Sequence, residues 1–173
     1  MLMMQNPQNN IVRYNISEND QSHILKLLCN PGTGNMFYNN VIFNNHWHAT
    51  LDQRHCTFIN NIFCAGENGS LGITQMGAPG MFQHNCFWGK WKTPIPKGDD
   101  NVQADPKLKG PARKPPEAND FATILQNMEG YRLNPDSPCA HSGMVVPGSG
   151  DRSFFGNLLP TNSDWKPNIG VDQ

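Results

Sequence analysis

Two short segments of this chain concentrate the side chains that could carry chemistry. The first, residues 46–55, holds three imidazoles and a guanidinium, and its candidate catalytic residues are His46, His48, Arg54 and His55. A neutral imidazole can accept a proton, and a guanidinium can stabilise the negative charge that develops beside a carboxylate. These residue types suit proton abstraction next to a uronic acid group. The alternative is a polar loop between repeats, in which Trp47 covers apolar side chains.

The second segment, residues 87–92, combines indoles with lysines, and its candidate carbohydrate-binding residues are Trp88, Lys90, Trp91 and Lys92. Indole rings stack on the apolar faces of sugar rings, and lysines pair with carboxylates. The segment therefore predicts a sugar subsite. In the alternative interpretation, Trp88 and Trp91 cover the end of a repeat while both lysines remain in water.

A third segment is rich in oxygen ligands, because Asp99, Asp100 and Asn101 are followed by Asp105. Carboxylate and amide oxygens are the ligands that Ca²⁺ prefers, but the spacing is not that of an EF-hand loop. Asp105, which precedes a proline, is better explained as a turn residue. We therefore predict no metal ligands and no cofactor, and Ca²⁺ is the one ion that this loop would suit.

The elements that must position these side chains are repeats. Four segments can be aligned on a shared asparagine with spacings of 25, 21 and 24 residues: Asn15, Asn40, Asn61 and Asn85. Three positions earlier stand Val12, Phe37, Phe58 and Phe82, and one position later stand Ile16, Val41, Ile62 and Cys86. Asparagine tolerates the left-handed conformation, and its amide can bond to the same residue of a neighbouring repeat. The pattern predicts strand, Asn corner and strand, stacked as a solenoid.

This apolar-x-x-Asn-x-apolar pattern resembles that of the right-handed parallel β-helix proteins of the pectate-lyase-like superfamily. The tail is similar to the closing region of many bacterial members, in the order of residues 102–108, 131–133, 136–140, 143, 151–156 and 167–170. The resemblance covers nearly the whole chain, but only the C-terminal part of such a protein. It implies an all-β fold, a right-handed parallel β-helix of about four coils with an irregular closing segment.

The chain divides into three parts of one domain. Residues 1–92 form the coils, and residues 93–130 are a Pro- and Gly-rich excursion with a short helix whose N-cap would be Asp120. Residues 131–173 form the closing segment. No N-terminal cap precedes the first coil, so we expect a C-terminal section of a larger protein that shows no substantial turnover alone and associates through its open N-terminal end.

The resemblance implies a lyase or glycoside hydrolase that acts on an extracellular polysaccharide. The alternative is a non-catalytic carbohydrate-binding or surface β-helix protein. In the coils, the few acids are Glu18, Asp20, Asp52 and Glu67, and no two align on one strand face of adjacent coils, which counts against a complete hydrolase site. We expect the parent protein to be secreted, periplasmic or on the cell surface, although this chain has no signal peptide.

Charge and hydropathy limit the classes of partner that we expect for this chain. With 13 basic and 14 acidic residues the formal net charge is −1, and the densest basic run, residues 107–114, is interrupted by Gly110 and Pro111, so we predict no nucleic-acid partner. No stretch is long enough to span a membrane.

The five cysteines show no metal-binding spacing. We expect Cys86 to pack as a small apolar residue, whereas the other cysteines could form a disulfide.

Overall fold

The computed structural model describes residues 2–28, 32–74, 80–111, 121–160 and 164–173, and nearly all of its regular structure is β. In chain order the described strands are β1 (Leu2–Gln5), β2 (Ile11–Arg13), β3 (Ile16–Glu18), β4 (His23–Leu28), β5 (Asn35–Tyr38), β6 (Val41–Asn44), β7 (His48–Asp52), β8 (Cys56–Ile59), β9 (Ile62–Ala65), β10 (Ser70–Thr74), β11 (Met81–Gln83) and β12 (Cys86–Trp88). One short helix, α1 (Phe121–Met128), leads into a 3-10 turn, Glu129–Tyr131. The predicted N-cap of the helix, Asp120, lies outside the described residues.

The strands form three sheets, and each successive strand of a coil belongs to a different sheet. Sheet A contains β1, β4, β7 and β10; sheet B contains β2, β5, β8 and β11; sheet C contains β3, β6, β9 and β12. Every neighbouring pair is parallel, and equivalent repeat positions of sheet B are in register, such as Phe37 opposite Phe58 and Phe58 opposite Phe82. In sheet A the register between β4 and β7 shifts between His23 and Leu25. The chain is therefore a right-handed parallel β-helix, and the predicted fold class is confirmed.

The turn from sheet B to sheet C is a two-residue corner that repeats in every coil. Its first residue has a left-handed backbone, with φ between 51° and 54° at Tyr14, Asn39, Asn60 and His84. The second is the shared asparagine. Non-glycine residues pay a conformational cost for positive φ, which asparagine bears better than most. Because this backbone conformation is unfavourable by itself, the corner needs hydrogen bonds to neighbouring coils to stabilise it.

Those contacts are a ladder of asparagine amides along the helix axis. The backbone N–H and the side-chain amide of each rung both donate to Oδ1 of the next, at 3.0 and 3.0 Å from Asn15 to Asn40, and at 3.1 and 2.9 Å from Asn40 to Asn61. The same pair of bonds continues from Asn61 to Asn85. A fifth rung follows, because the backbone N–H of Asn85 donates to Asn101 Oδ1 at 2.8 Å. The ladder thus extends past residue 92, where we place the end of the coils.

The interior of the coils is filled by aromatic stacks. Phe58 lies between Phe37 and Phe82, with ring centroids 5.2 and 4.6 Å apart and nearly parallel planes. Phe63 and Phe87, each two positions after a ladder asparagine, form a second stack at 5.4 Å. The predicted internal phenylalanine stack is confirmed, and it joins the coils along the axis.

The outward faces of sheets B and C are also buried, because the closing segment lies over them. On sheet C, Val41, Ile62 and Cys86 face away from the interior and are fully buried by the closing-segment residues Tyr131, Leu133, Cys139, Ile169 and Val171. On sheet B, Tyr38 and Ile59 pack against Val146. The residues one position after the ladder asparagines therefore form the surface of sheet C on which the closing segment packs.

None of the helices in the described part of the chain has the length and apolar character needed to cross a bilayer.

Candidate functional site

The outward face of sheet A is polar, in contrast to the apolar outward faces of sheets B and C. Alternate residues of its strands point inward and are buried, among them Leu25, Ala49, Leu51, Leu71 and Ile73. The residues between them point outward. We define the sheet A face by the outward residues His23, His48, Thr50, Ser70 and Lys92.

His48 occupies the centre of this face. Its side chain is exposed, and its Nδ1 is hydrogen-bonded to Ser70 Oγ at 3.1 Å. The ring lies against Gly72, where an added Cβ would come within 3.2 Å of His48 Cε1. A residue without a side chain at position 72 therefore leaves room for the imidazole beside the strand.

The pKa of His48 is lowered from its ordinary value, first because partial burial removes water from the ring and second because Lys92 is a nearby cation. The ordinary pKa of histidine is about 6.5, so a lowered value leaves the imidazole neutral at pH 7. A neutral imidazole can accept a proton. His48 and Lys92 together provide a base and a positive charge on one open surface.

Lys92 reaches this surface because residues 90–92 continue sheet A. Leu71 N–H donates to the carbonyl of Lys90 at 2.9 Å, and Lys92 N–H donates to the carbonyl of Leu71 at 2.8 Å. Side chains of successive residues alternate between faces, so Trp91 points inward, with its ring centroid 5.4 Å from that of Phe87. Trp91 is therefore a core residue, and Lys92 is the member of the segment that faces His48.

Arg54, in contrast, is engaged in an ion pair. Its Nη2 lies 2.7 Å from Asp52 Oδ2 and also donates to the carbonyl of Leu27 at 2.6 Å. The Asp52 side chain is nearly buried, and its Oδ2 accepts the N–H of Leu27 at 3.3 Å. Arg54 and Asp52 thus join β7 to β4, and the guanidinium contributes to the fold at this edge of the sheet.

His46 and His55 are exposed but lie beyond opposite ends of β7. A five-residue strand at about 3.3 Å per residue separates them by more than the reach of one reacting group. The structure therefore brings His48 and Lys92 together, one from each predicted segment, and does not gather the four predicted catalytic residues in one place.

Trp88 and Lys90 line a separate groove of about 460 Å³ beside sheet C. The Trp88 indole is 43% exposed, and it extends a column of sheet C that includes Cys64 and Phe43. The groove also contains Glu67, Gly66, Asp105, Pro106 and Leu108. This volume lies within the range of small-molecule sites, about 300–1,000 Å³. Since residues 88–92 connect it to the sheet A face, the two surfaces adjoin.

The acidic segment has other contacts in the structure. Asn101 is the fifth rung of the ladder, Asp100 lies 3.5 Å from His84 Nε2, and Asp105 Oδ1 accepts the N–H of Lys107 at 2.8 Å. Within the described ranges, no group of three or more His, Cys, Asp or Glu side chains is arranged to hold a metal ion. The expectation of no metal ligands and no cofactor, with Ca²⁺ as the one ion that the loop would suit, stays a prediction.

Sequence reasoning missed His23, Thr50 and Ser70 as members of the sheet A face. His23 Nδ1 is hydrogen-bonded to Thr50 Oγ1 at 2.9 Å, which links β4 to β7 on the outward side. The sequence does show polar and apolar residues alternating in this strand, because polar or small residues at 70, 72 and 74 flank the apolar Leu71 and Ile73. Period-2 patterning in the segments between Asn corners would have identified this third sheet.

No model of a known protein family matches the chain, and no curated protein has significant similarity to it. The assignment of a parallel β-helix fold therefore depends on the observed strand pairing alone.

Proposed function

We propose that this chain is a section of a polysaccharide-active protein of the pectate-lyase-like superfamily, and that its sheet A face binds a polysaccharide containing uronic acids. The observation that carries the proposal is the pairing of His48 with Lys92 on a polar face that the described part of the closing segment does not cover. The adjoining groove, with its exposed Trp88, supports a binding surface longer than one sugar unit.

Each group on the face has a role that follows from its chemistry. The Lys92 ammonium pairs with a uronate carboxylate, and the half-buried hydroxyl of Thr50 accepts a hydrogen bond from a sugar hydroxyl. Ser70 is buried, and its hydroxyl positions the His48 ring. Beyond Lys90, the indole of Trp88 offers an apolar surface on which a sugar ring can stack. The binding energy therefore has a charged part, which salt screens, and an apolar part, which salt leaves intact.

The same groups suit β-elimination. Neutral His48 accepts the proton from the carbon next to the uronate carboxylate, while Lys92 stabilises the negative charge that develops on that carboxylate. The electron pair of the broken C–H bond forms a C=C bond, the glycosidic C–O bond breaks, and water protonates the leaving oxygen. A lyase needs no second carboxylate, which fits the scarcity of acids on the coils better than hydrolysis does.

The binding test uses the purified chain, a panel of uronate and neutral oligosaccharides, and isothermal titration calorimetry at two salt concentrations. We expect uronate oligomers to bind more tightly at low salt and Lys92→Ala to weaken that binding about three- to tenfold, as expected for a charge contact of about 1 kcal/mol. Lys166→Ala, an exposed lysine of the closing segment, is the matched control and should leave affinity unchanged. Equal affinities for the Lys92 and Lys166 variants, or no binding across the panel, would contradict the proposal.

The chemical test measures ultraviolet absorbance from the unsaturated product at high chain concentration and after long incubation, because the chain alone is expected to show no substantial turnover. Because the pKa of His48 is lowered, its neutral fraction grows as pH rises through a midpoint below the ordinary histidine value, and the rate should follow that fraction. His48→Gln should abolish product formation and retain oligomer binding. Binding without any unsaturated product, in the unsubstituted chain, would favour the alternative of a non-catalytic carbohydrate-binding β-helix.

A further inference from the structure

The interior of the first coils contains a cavity of about 220 Å³. Its walls come from all three sheets, because Leu25 of sheet A, Phe37 of sheet B and Ile42 of sheet C all line it. Phe58 and Phe63 of the following coil line it as well. The cavity therefore lies inside the β-helix, separate from the sheet A face and from the groove beside sheet C.

The cavity exists because two inward side chains of the first coil are small. In sheet B, Val12 is the register partner of Phe37 and occupies the position that every later coil fills with phenylalanine. In sheet C, Ser17 is the register partner of Ile42, and the next coil has Phe63 at this position. Val12 and Ser17 are both half-buried. Two positions that hold rings further along the axis thus hold a valine and a serine, and the missing volume is the cavity.

The phenylalanine stack ends at this cavity. The ring of Phe37 stacks on Phe58 with centroids 5.2 Å apart, the stack continues from Phe58 to Phe82 at 4.6 Å, and Phe37 also lines the cavity. A further ring beyond Phe37 at the same spacing would lie at the distance that offset-stacked aromatic pairs adopt. The space is therefore suited to one more aromatic ring.

The polar groups at the cavity are few, and most of them are already bonded. The amides of Asn40 and Asn61 line it, but they donate to backbone carbonyls and to the next rung of the ladder. The Ser17 hydroxyl donates to Asp20 Oδ2, so its oxygen keeps the capacity to accept a hydrogen bond. A buried water needs about two to four polar partners, and apolar cavities that lack them bind apolar molecules instead.

We propose that this cavity binds a monocyclic phenol, whose ring stacks on Phe37 and whose hydroxyl donates to Ser17 Oγ. The volume is sufficient, because an apolar cavity of about 150 Å³ already holds one benzene molecule. Neither Phe37 nor Ser17 belongs to the sheet A face. The proposal is therefore independent of polysaccharide binding and can be tested separately from it.

The first experiment titrates phenol and cyclohexanol into the purified full chain by isothermal titration calorimetry. The two molecules have similar sizes and the same hydroxyl group, but only phenol can stack on an aromatic ring. We expect one saturable site with an affinity for phenol about two- to tenfold higher than for cyclohexanol, as expected for one aromatic stacking contact. No saturable binding of phenol, or equal affinities for the two molecules, would overturn the proposal.

The second experiment fills the cavity with a side chain. Val12→Phe gives the first coil the ring that later coils have, so it should abolish phenol binding and raise the urea midpoint of unfolding. The matched control is Ile11→Phe, which adds the same ring at the neighbouring position, where Ile11 is 58% exposed, and should leave the affinity for phenol unchanged. Unchanged phenol affinity in a folded Val12→Phe chain, or an equal loss in both variants, would contradict the proposal.

The contact with the hydroxyl is tested at Ser17. Ser17→Ala removes the acceptor and should weaken phenol binding about two- to tenfold, as expected for one hydrogen bond. An unchanged affinity would overturn the proposed contact.

A last measurement needs no variant to fold. The ring current of a bound phenol shifts nearby methyl resonances, so in a chain with isotope-labelled valine methyl groups the resonances of Val12 should move saturably as phenol is added. Those of Val145, which is 51% exposed on the closing segment, should not. The absence of a saturable shift at Val12, or equal shifts at both valines, would overturn the proposal.

Discussion

The asparagine ladder can be tested at its central rung, Asn61. This side chain is fully buried and makes four hydrogen bonds: Nδ2 donates to the carbonyl of Phe37 at 2.8 Å and to Asn85 Oδ1 at 3.0 Å, while Oδ1 accepts the backbone N–H of Asn40 at 3.1 Å and its amide at 2.9 Å. Asn61→Ala removes all four. Because water does not reach these positions, their partners lose their hydrogen bonds without replacement.

The cost follows from the groups left without partners. In Asn61→Ala, the buried backbone N–H of Asn40 loses its acceptor, and the Phe37 carbonyl loses a donor. Each such loss costs about 1–3 kcal/mol of stability. We expect a total of about 4 kcal/mol, which is a large share of the about 5–15 kcal/mol that stabilises a typical domain. Asn61→Asp should cost at least as much near pH 7, because the carboxylate keeps the acceptors, loses both donors and buries a charge.

The matched control is Asn15→Ala, at the first rung. Asn15 is exposed, and its amide donates to the Arg13 carbonyl at 2.8 Å and to Asn40 Oδ1 at 3.0 Å, so water replaces much of what is lost and the cost should be about 1 kcal/mol or less. Urea unfolding, followed by tryptophan fluorescence and far-ultraviolet circular dichroism, gives both free energies of unfolding. Equal unfolding midpoints for the Asn61 and Asn15 variants would refute the reasoning.

Two further residues can be tested by substitution: Phe58 in the interior of the coils and Arg54 at the edge of sheet A. Phe58→Ala should lower the free energy of unfolding by about 3–5 kcal/mol, because it opens a cavity between two stacked rings, whereas Met81→Ala, at a residue 63% exposed, should change it by less than about 0.5 kcal/mol in the same urea assay. Arg54→Ala should cost about 3 kcal/mol, because it leaves the buried Asp52 carboxylate without its cation. The double variant Asp52→Ala/Arg54→Ala should cost clearly less than the two single losses added together; additive losses would show that the pair is not coupled.

Much of the fold follows from the sequence because its repeats specify the corner. Asparagine with an apolar residue three positions earlier predicted four rungs and the phenylalanine stack, and the structure has both. The fifth rung was missed because Asn101 follows Asn85 after only 16 residues and has Gly98, with no side chain, three positions before it. The ladder bond survives there without the interior stack, so a search that required both signals could not find it.

Period-2 patterning could not show which side of sheet C faces the interior. Both faces are apolar, because the coil core covers one and the closing segment covers the other, and alternation loses its meaning when neither face meets water. Cys86 was nevertheless correctly predicted to pack as a small apolar residue, since it is fully buried in the apolar cluster between sheet C and the closing segment.

The candidate site was predictable in its residue types and not in their grouping. His48 and Lys92 are far apart in sequence, and only the pairing of residues 90–92 with β10 places them on one face. Arg54 was grouped with the histidines by proximity in sequence, whereas its bonds to Asp52 and to the Leu27 carbonyl direct it to the sheet edge.

The amide ladder also gives the molecule a polarity along its axis. Each bond between rungs is donated toward the C-terminal end and accepted from the N-terminal side, so the dipoles of the side-chain carbonyls add, and neighbouring amides polarise one another. Hydrogen bonds between parallel strands point both ways along the axis and largely cancel. The ladder therefore behaves as a one-way row of dipoles, with its negative pole at Asn15. A coil added ahead of it in the same orientation meets that pole with donors, whereas a copy in the opposite orientation meets it with another negative pole.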